Sequence, residues 1–146
     1  MKFLAAFAFA FSFFALVDTN TATAGMNKFP ECTSEKVIRK LIKRFNQTEK
    51  IYWEHRGLVL DAVTHPHRHA TNPFPHSPIN RHYCHGDAHF ANGKKRRIHY
   101  LIEQGAGFAG FTWNVEYCIH GLDPWKYYDG RCRVLSKRDS AIYSSN

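Results

Sequence analysis

The sequence predicts a single α+β domain: an N-terminal amphipathic helix packed on an antiparallel sheet of four or five strands, with two disulfides. Three observations predict it. One apolar stripe at helical spacing occurs early, among residues 37–45. Short runs of alternating apolar and polar residues follow, separated by glycine, proline and asparagine signals. Four cysteines, Cys32, Cys84, Cys118 and Cys132, are spread through the same region. The order of helix and then meander is analogous to cystatin-like and NTF2-like architecture, an analogy of fold that says nothing about activity.

The chain has 146 residues, room for one domain, and its 44% apolar content excludes a wholly disordered, collagen-like or mucin-like chain. Residues 1–24 read as a secretory signal peptide. Lys2 precedes an apolar run from Phe3 to Val17, and Ala22-Thr23-Ala24 supplies small residues for cleavage before Gly25. That run falls short of the ~20 apolar residues that span a bilayer as a helix. Cleavage leaves residues 25–146, with 19 Lys and Arg against 11 Asp and Glu, so the net charge stays at +8. The expectation is an exported protein, periplasmic or extracellular, without a transmembrane segment, its domain ending near residue 135 and followed by a frayed tail, 136–146.

The helix begins at Thr33, with Ser34 and Glu35 in its first turn. Val37, Ile38, Leu41, Ile42 and Phe45 form its apolar face; Lys36, Arg39, Lys40, Lys43 and Arg44 cover the opposite side. Residues 51–64 read as extended, with a break at Arg56-Gly57. Residues 65–78, rich in proline and histidine, read as a long exposed loop. Arg81 to Glu103 is a hairpin about Asn92-Gly93, a two-residue type I′ signal that sets Phe90 against Lys95 and Cys84 against Leu101. Gly105 to Gly110 is a flexible connection; it lacks a helix-opening G-x-G-x-x-G and a P-loop Lys-Ser/Thr, so no phosphate cradle is read from it. Residues 111–120 alternate at period 2 and predict a strand. Asp129-Gly130 marks a turn, and residues 131–135 a short last strand.

An even number of cysteines in an exported chain favours disulfides over a zinc site, which the absence of C-x-x-C also disfavours. The predicted register places strands 81–91 and 111–120 on either side of 95–103, ~9.6 Å apart. Cys84 falls at one end of the middle strand and Cys118 at the other, near Arg96. A disulfide needs Cα atoms within ~7 Å, so these two do not pair. Cys118–Cys132 closes a loop between neighbouring strands, and Cys32–Cys84 staples the helix to the sheet.

No motif carries a specific chemical reading, and no cofactor is implied. Histidine is the compositional anomaly. His65, His67 and His69 lie on the predicted loop, and His85 and His89 flank Asp87 on one strand face. These five are candidate ligands for zinc or copper. His85 or His89 with Asp87 and Arg96 or Arg97 would also supply the acid, base and anion stabiliser of an RNase-like hydrolase. Lys94, Lys95, Arg96 and Arg97, beside the turn, form a basic patch for an anionic partner. Trp125, Tyr127 and Tyr128 form a contact patch in a loop clamped by Cys118–Cys132. The aromatics do not interleave with the basic cluster as a base-stacking platform does. An anionic envelope component or a protein partner therefore fits better than nucleic acid.

The stretch Tyr83-Cys84-His85, Asn92-Gly93, Tyr100-Leu101-Ile102-Glu103-Gln104-Gly105, Gly107-Phe108-Ala109-Gly110, Trp113-Asn114-Val115-Glu116-Tyr117-Cys118 and Gly121-Leu122-Asp123-Pro124-Trp125 resembles a group of small exported alphaproteobacterial proteins of unknown function. The resemblance covers the C-terminal half. It implies a periplasmic or secreted bacterial protein and transfers no catalytic residue. The expected function is a non-enzymatic binding or interaction module. The alternatives are a small secreted hydrolase and a His-rich metal-binding protein.

Overall fold

The structure is a computed structural model that describes residues 29–53, 56–71 and 77–136. The expected signal peptide and all but the first residue of the expected tail lie outside the described residues.

Helix α1 spans Glu35–Tyr52 and buries Val37, Leu41, Phe45 and Glu49. These recur every four residues, so the buried stripe runs one turn past its last apolar member. That is why the predicted helix ended too early, and why residues 51 and 52 are helical rather than extended. Glu49, 5% exposed, is buried with its charge matched: both of its carboxylate oxygens accept hydrogen bonds from Arg56. Ser34, rather than Thr33, starts the helix, its carbonyl accepting from the Val37 and Ile38 amides at 2.9 and 3.1 Å. The basic side is not simply solvated. Lys40 donates to the Trp113 carbonyl at 3.1 Å and lies over the Trp113 ring. Arg44 donates to the Val115 carbonyl at 2.6 Å. Both side chains tie the helix to the last strand.

Four strands form one antiparallel meander in the order β1 (Leu60–Thr71), β2 (Arg81–Phe90), β3 (Lys95–Glu103) and β4 (Asn114–Ile119). The predicted loop 65–78 is corrected over residues 65–71, where β1 continues to Thr71; residues 72–76 lie outside the described residues. The β1 ladder slips between Leu60 and Ala62, Thr64 and His67, and Arg68 and Ala70. Pro66 sits in the second slip of an edge strand, where its missing N–H removes no ladder bond. His65 beside it has φ 50°.

The hairpin is also corrected, by one residue. Cys84 pairs with Tyr100 and His85 with His99. Phe90 and Lys94 close a three-residue turn, with the Phe90 amide donating to Lys94 O and the Gly93 amide to Phe90 O. Gly93, at φ 78°, takes the left-handed position that such a turn requires. A shift of one residue exchanges the faces of a strand. Ile98, Tyr100 and Ile102 therefore point, with Cys84, Ala88 and Phe90, into the core under α1. Arg97, His99 and Leu101 join Tyr83, His85 and Asp87 on the other face.

Strand β4 is shorter than the predicted 111–120. Gly107 N donates to Thr112 O and closes a small loop that includes a 3-10 turn, Phe108–Gly110. Residues 133–135, predicted as strand, form a second 3-10 turn. Their backbone is drawn beneath the sheet, where Leu135 and Cys132 pack with Tyr83, Leu101 and Tyr128.

Both predicted disulfides are present, Cys32–Cys84 with Cα atoms 5.8 Å apart and Cys118–Cys132 at 5.5 Å. The reason differs in part. Cys84 lies opposite Tyr100 and Cys118 opposite His99, so the two are neighbours along β3. They are kept apart by facing opposite sides of the sheet. Among the described residues no helix is long and apolar enough to cross a membrane.

Candidate functional site

The end of α1, the edge strand β4 and the loop after it enclose an aromatic cleft of about 360 Å³. Trp53 comes from the helix C-terminus, Tyr117 from β4, and Trp125, Tyr127 and Tyr128 from the loop. The Trp53 and Trp125 ring centres are 4.8 Å apart. Arg56 lies over Trp53, 4.4 Å from its centre. Tyr117 is fixed in the core through Phe45.

The loop is shaped by one carboxylate. Asp123 accepts backbone hydrogen bonds from Tyr127 at 2.8 Å through Oδ1, and from Tyr128 at 2.8 Å and Gly130 at 3.0 Å through Oδ2. This satisfies amides that the irregular backbone leaves over. It also orients the aromatics differently. Tyr128 folds back onto the Cys118–Cys132 cluster, where burial raises its hydroxyl pKa. Trp125 and Tyr127 remain 73% and 75% exposed. Of the predicted patch, one ring is partly buried against that cluster and two lie on the surface. Trp53 and Tyr117 were missed, because nothing in the local pattern announces that the helix end approaches residue 125.

The second cavity, about 410 Å³, opens on the sheet face opposite α1 and includes His69, His85, Arg97, His99, His120 and Arg131. Of the predicted histidines, His69 and His85 meet here, Nδ1 to Nδ1 at 3.0 Å. His67 packs its ring on His85 at 3.6 Å between centres and turns Nδ1 to the His65 carbonyl. His65 reaches Asp87 at 3.3 Å. His89 is directed to the Thr64 hydroxyl at 2.8 Å. His99 and His120, stacked with ring centres 5.1 Å apart, were not anticipated. The predicted register had put His99 on the opposite face. His85 and His99 are both lowered to about 4, first by burial and then by neighbouring imidazoles. As the side chains stand, no group of three or more His, Cys, Asp or Glu among the described residues is gathered closely enough to hold a metal ion.

The basic patch is partly compensated. Lys95 and Arg97 lie 3.2 and 3.8 Å from Asp87, whose carboxyl is held below the usual range mainly by the Lys95 ammonium. Arg96 donates to the His120 carbonyl at 2.9 Å. Lys94 is exposed at the turn. His85, Asp87 and Arg97 do share a face, whereas Arg96 binds the backbone beyond β4.

No protein-family model, no curated protein and no solved structure matches the chain.

Proposed function

We propose that the protein is an exported, non-enzymatic binding module that takes a segment of anionic envelope glycan in the aromatic cleft. The observation that carries this reading is the pair of indoles, Trp53 and Trp125, in the lining of a cavity of about 360 Å³. That volume falls in the range of small-ligand pockets, and a mostly apolar wall with a few polar groups is their usual lining. Trp125, largely exposed, offers a flat ring to the C–H faces of sugars, and the lining adds the Arg44 guanidinium for acidic groups and the carboxylates of Glu116 and Asp123 for hydroxyl groups. The net charge of +8 favours an anionic polymer over a neutral one. The two disulfides and the expected signal peptide support a partner in an oxidising compartment outside the cytoplasm.

Titration of the disulfide-bonded protein with acidic and neutral oligosaccharides, followed by tryptophan fluorescence, tests the proposal. Acidic chains are expected to bind, and Trp125→Ala to weaken them by about tenfold or more without loss of fold. An unchanged affinity in Trp125→Ala, or no response to any glycan, would overturn it.

A further inference from the structure

We infer that His69, His85 and His99 form a three-imidazole site for a divalent transition cation such as Zn²⁺, on the sheet face opposite α1. It stands apart from the aromatic cleft and does not depend on it.

Their ring centres form a nearly regular triangle: 5.1 Å between His69 and His85, 5.9 Å between His85 and His99, and 6.0 Å between His69 and His99. An imidazole nitrogen about 2.1 Å from zinc puts its ring centre about 3.2 Å from the ion. Tetrahedral placement then separates ring centres by about 5.2 Å. One side of the triangle already has this length, and the others are longer by roughly 0.7–0.8 Å, within reach of side-chain rotation. The closest nitrogens, Nδ1 of His69 and Nδ1 of His85, are 3.0 Å apart. Two nitrogens on one tetrahedral zinc are about 3.4 Å apart. His99 contributes an independent sign: its Nδ1 is buried and has no hydrogen-bond partner among the described residues. A buried polar atom of that kind is uncommon and calls for a specific explanation, of which a bound ion is one.

The backbone supports the triangle. His85 and His99 are directly paired on adjacent central strands. His69 lies on β1 between Arg68 and Ala70, where a register slip brings it towards them. The groups facing the three are His67 on β1, Asp87 on β2, Arg97 on β3, and His120 and Arg131 beyond β4. Asp87 balances Arg97 at 3.8 Å. With two guanidinium groups at the cavity, the remaining coordination position suits water or a small anion.

The test is titration of untagged, disulfide-bonded protein with Zn²⁺ against a competing chelator at neutral pH, with imidazole nitrogen NMR on the same sample. One ion per chain is expected, with the His69, His85 and His99 nitrogens shifted together. His99→Ala and His85→Ala should each weaken binding by about tenfold or more, whereas His65→Ala and His89→Ala should not. Binding that survives His99→Ala, that is lost with His65 or His89, or that is absent would overturn the site and leave only adventitious binding by exposed histidines. If the variants do not fold, the nitrogen shifts of the unaltered protein decide.

Discussion

His85 stands directly across the β2–β3 ladder from His99, with ring centres 5.9 Å apart, and neither ring is charged near neutral pH. Burial is the larger cause for both. His67 and His69 on β1, Arg97 on β3 and His120 beyond β4 add to it, and Asp87 opposes it at His85. The unfolded chain protonates these histidines near pH 6.5, the folded chain only near pH 4. Between those values the unfolded state holds more protons, so stability is full above about pH 6.5 and falls as the pH drops towards 4. Urea unfolding at a series of pH values is expected to show that decline. His99→Gln should flatten it in part, since His85 and the buried His82 shift in the same direction. A slope unaffected by His99→Gln would show that the ring is not held neutral.

Tyr100 is fully buried and donates its hydroxyl hydrogen to the Cys32 carbonyl at 2.8 Å. Tyr100→Phe preserves shape and leaves that carbonyl without its donor. A loss of about 1–3 kcal/mol is expected in urea unfolding under non-reducing conditions. A change below about 0.5 kcal/mol would mean that the carbonyl finds another partner.

Gly86 lies where β1 slips against β2. A Cβ there would meet Thr64 O at 2.9 Å and Val63 Cγ1 at 3.1 Å. The first is backbone and cannot turn aside. Gly86→Ala is expected to cost about 1–3 kcal/mol and to speed amide exchange over residues 62–68 more than in β3. Uniform protection in both strands would contradict it.

Asp123→Ala removes the acceptor for three loop amides. The fold should survive, because the carboxylate lies outside the core under α1. Limited proteolysis under non-reducing conditions should cut the 124–131 loop at least several-fold faster than in the unaltered protein. Global stability is expected to fall by about 1–2 kcal/mol. Unchanged cleavage would show that Cys118–Cys132 alone holds the loop.

The helix and both disulfides were legible because their signals are local or topological. Val37, Leu41 and Phe45 repeat at helical spacing, and Cys118 and Cys132 bracket a short loop. Residues 65–71 were misread because Pro66 ordinarily ends a strand, and only an edge position with a slip in the ladder accommodates it. The hairpin was located correctly, but Asn92-Gly93 serves a three-residue turn as well as a two-residue one. That single ambiguity hid the pairing of His85 with His99 and moved His99 to the wrong face. Trp53 escaped for a different reason: its neighbour Trp125 is 72 residues away, and proximity of that kind is created by the fold.

The interrupted outer ladder of β1 has a further consequence. An exposed sheet edge is a template on which another chain can add a strand. In β1, Pro66 withholds one donor, His65 turns the backbone out of line, and three slips leave no long, straight row of amides. The same irregularities that bring His69 towards His85 therefore guard this margin against edge-to-edge association, so that straightening β1 would open a continuous edge as well as disturb the histidine cavity.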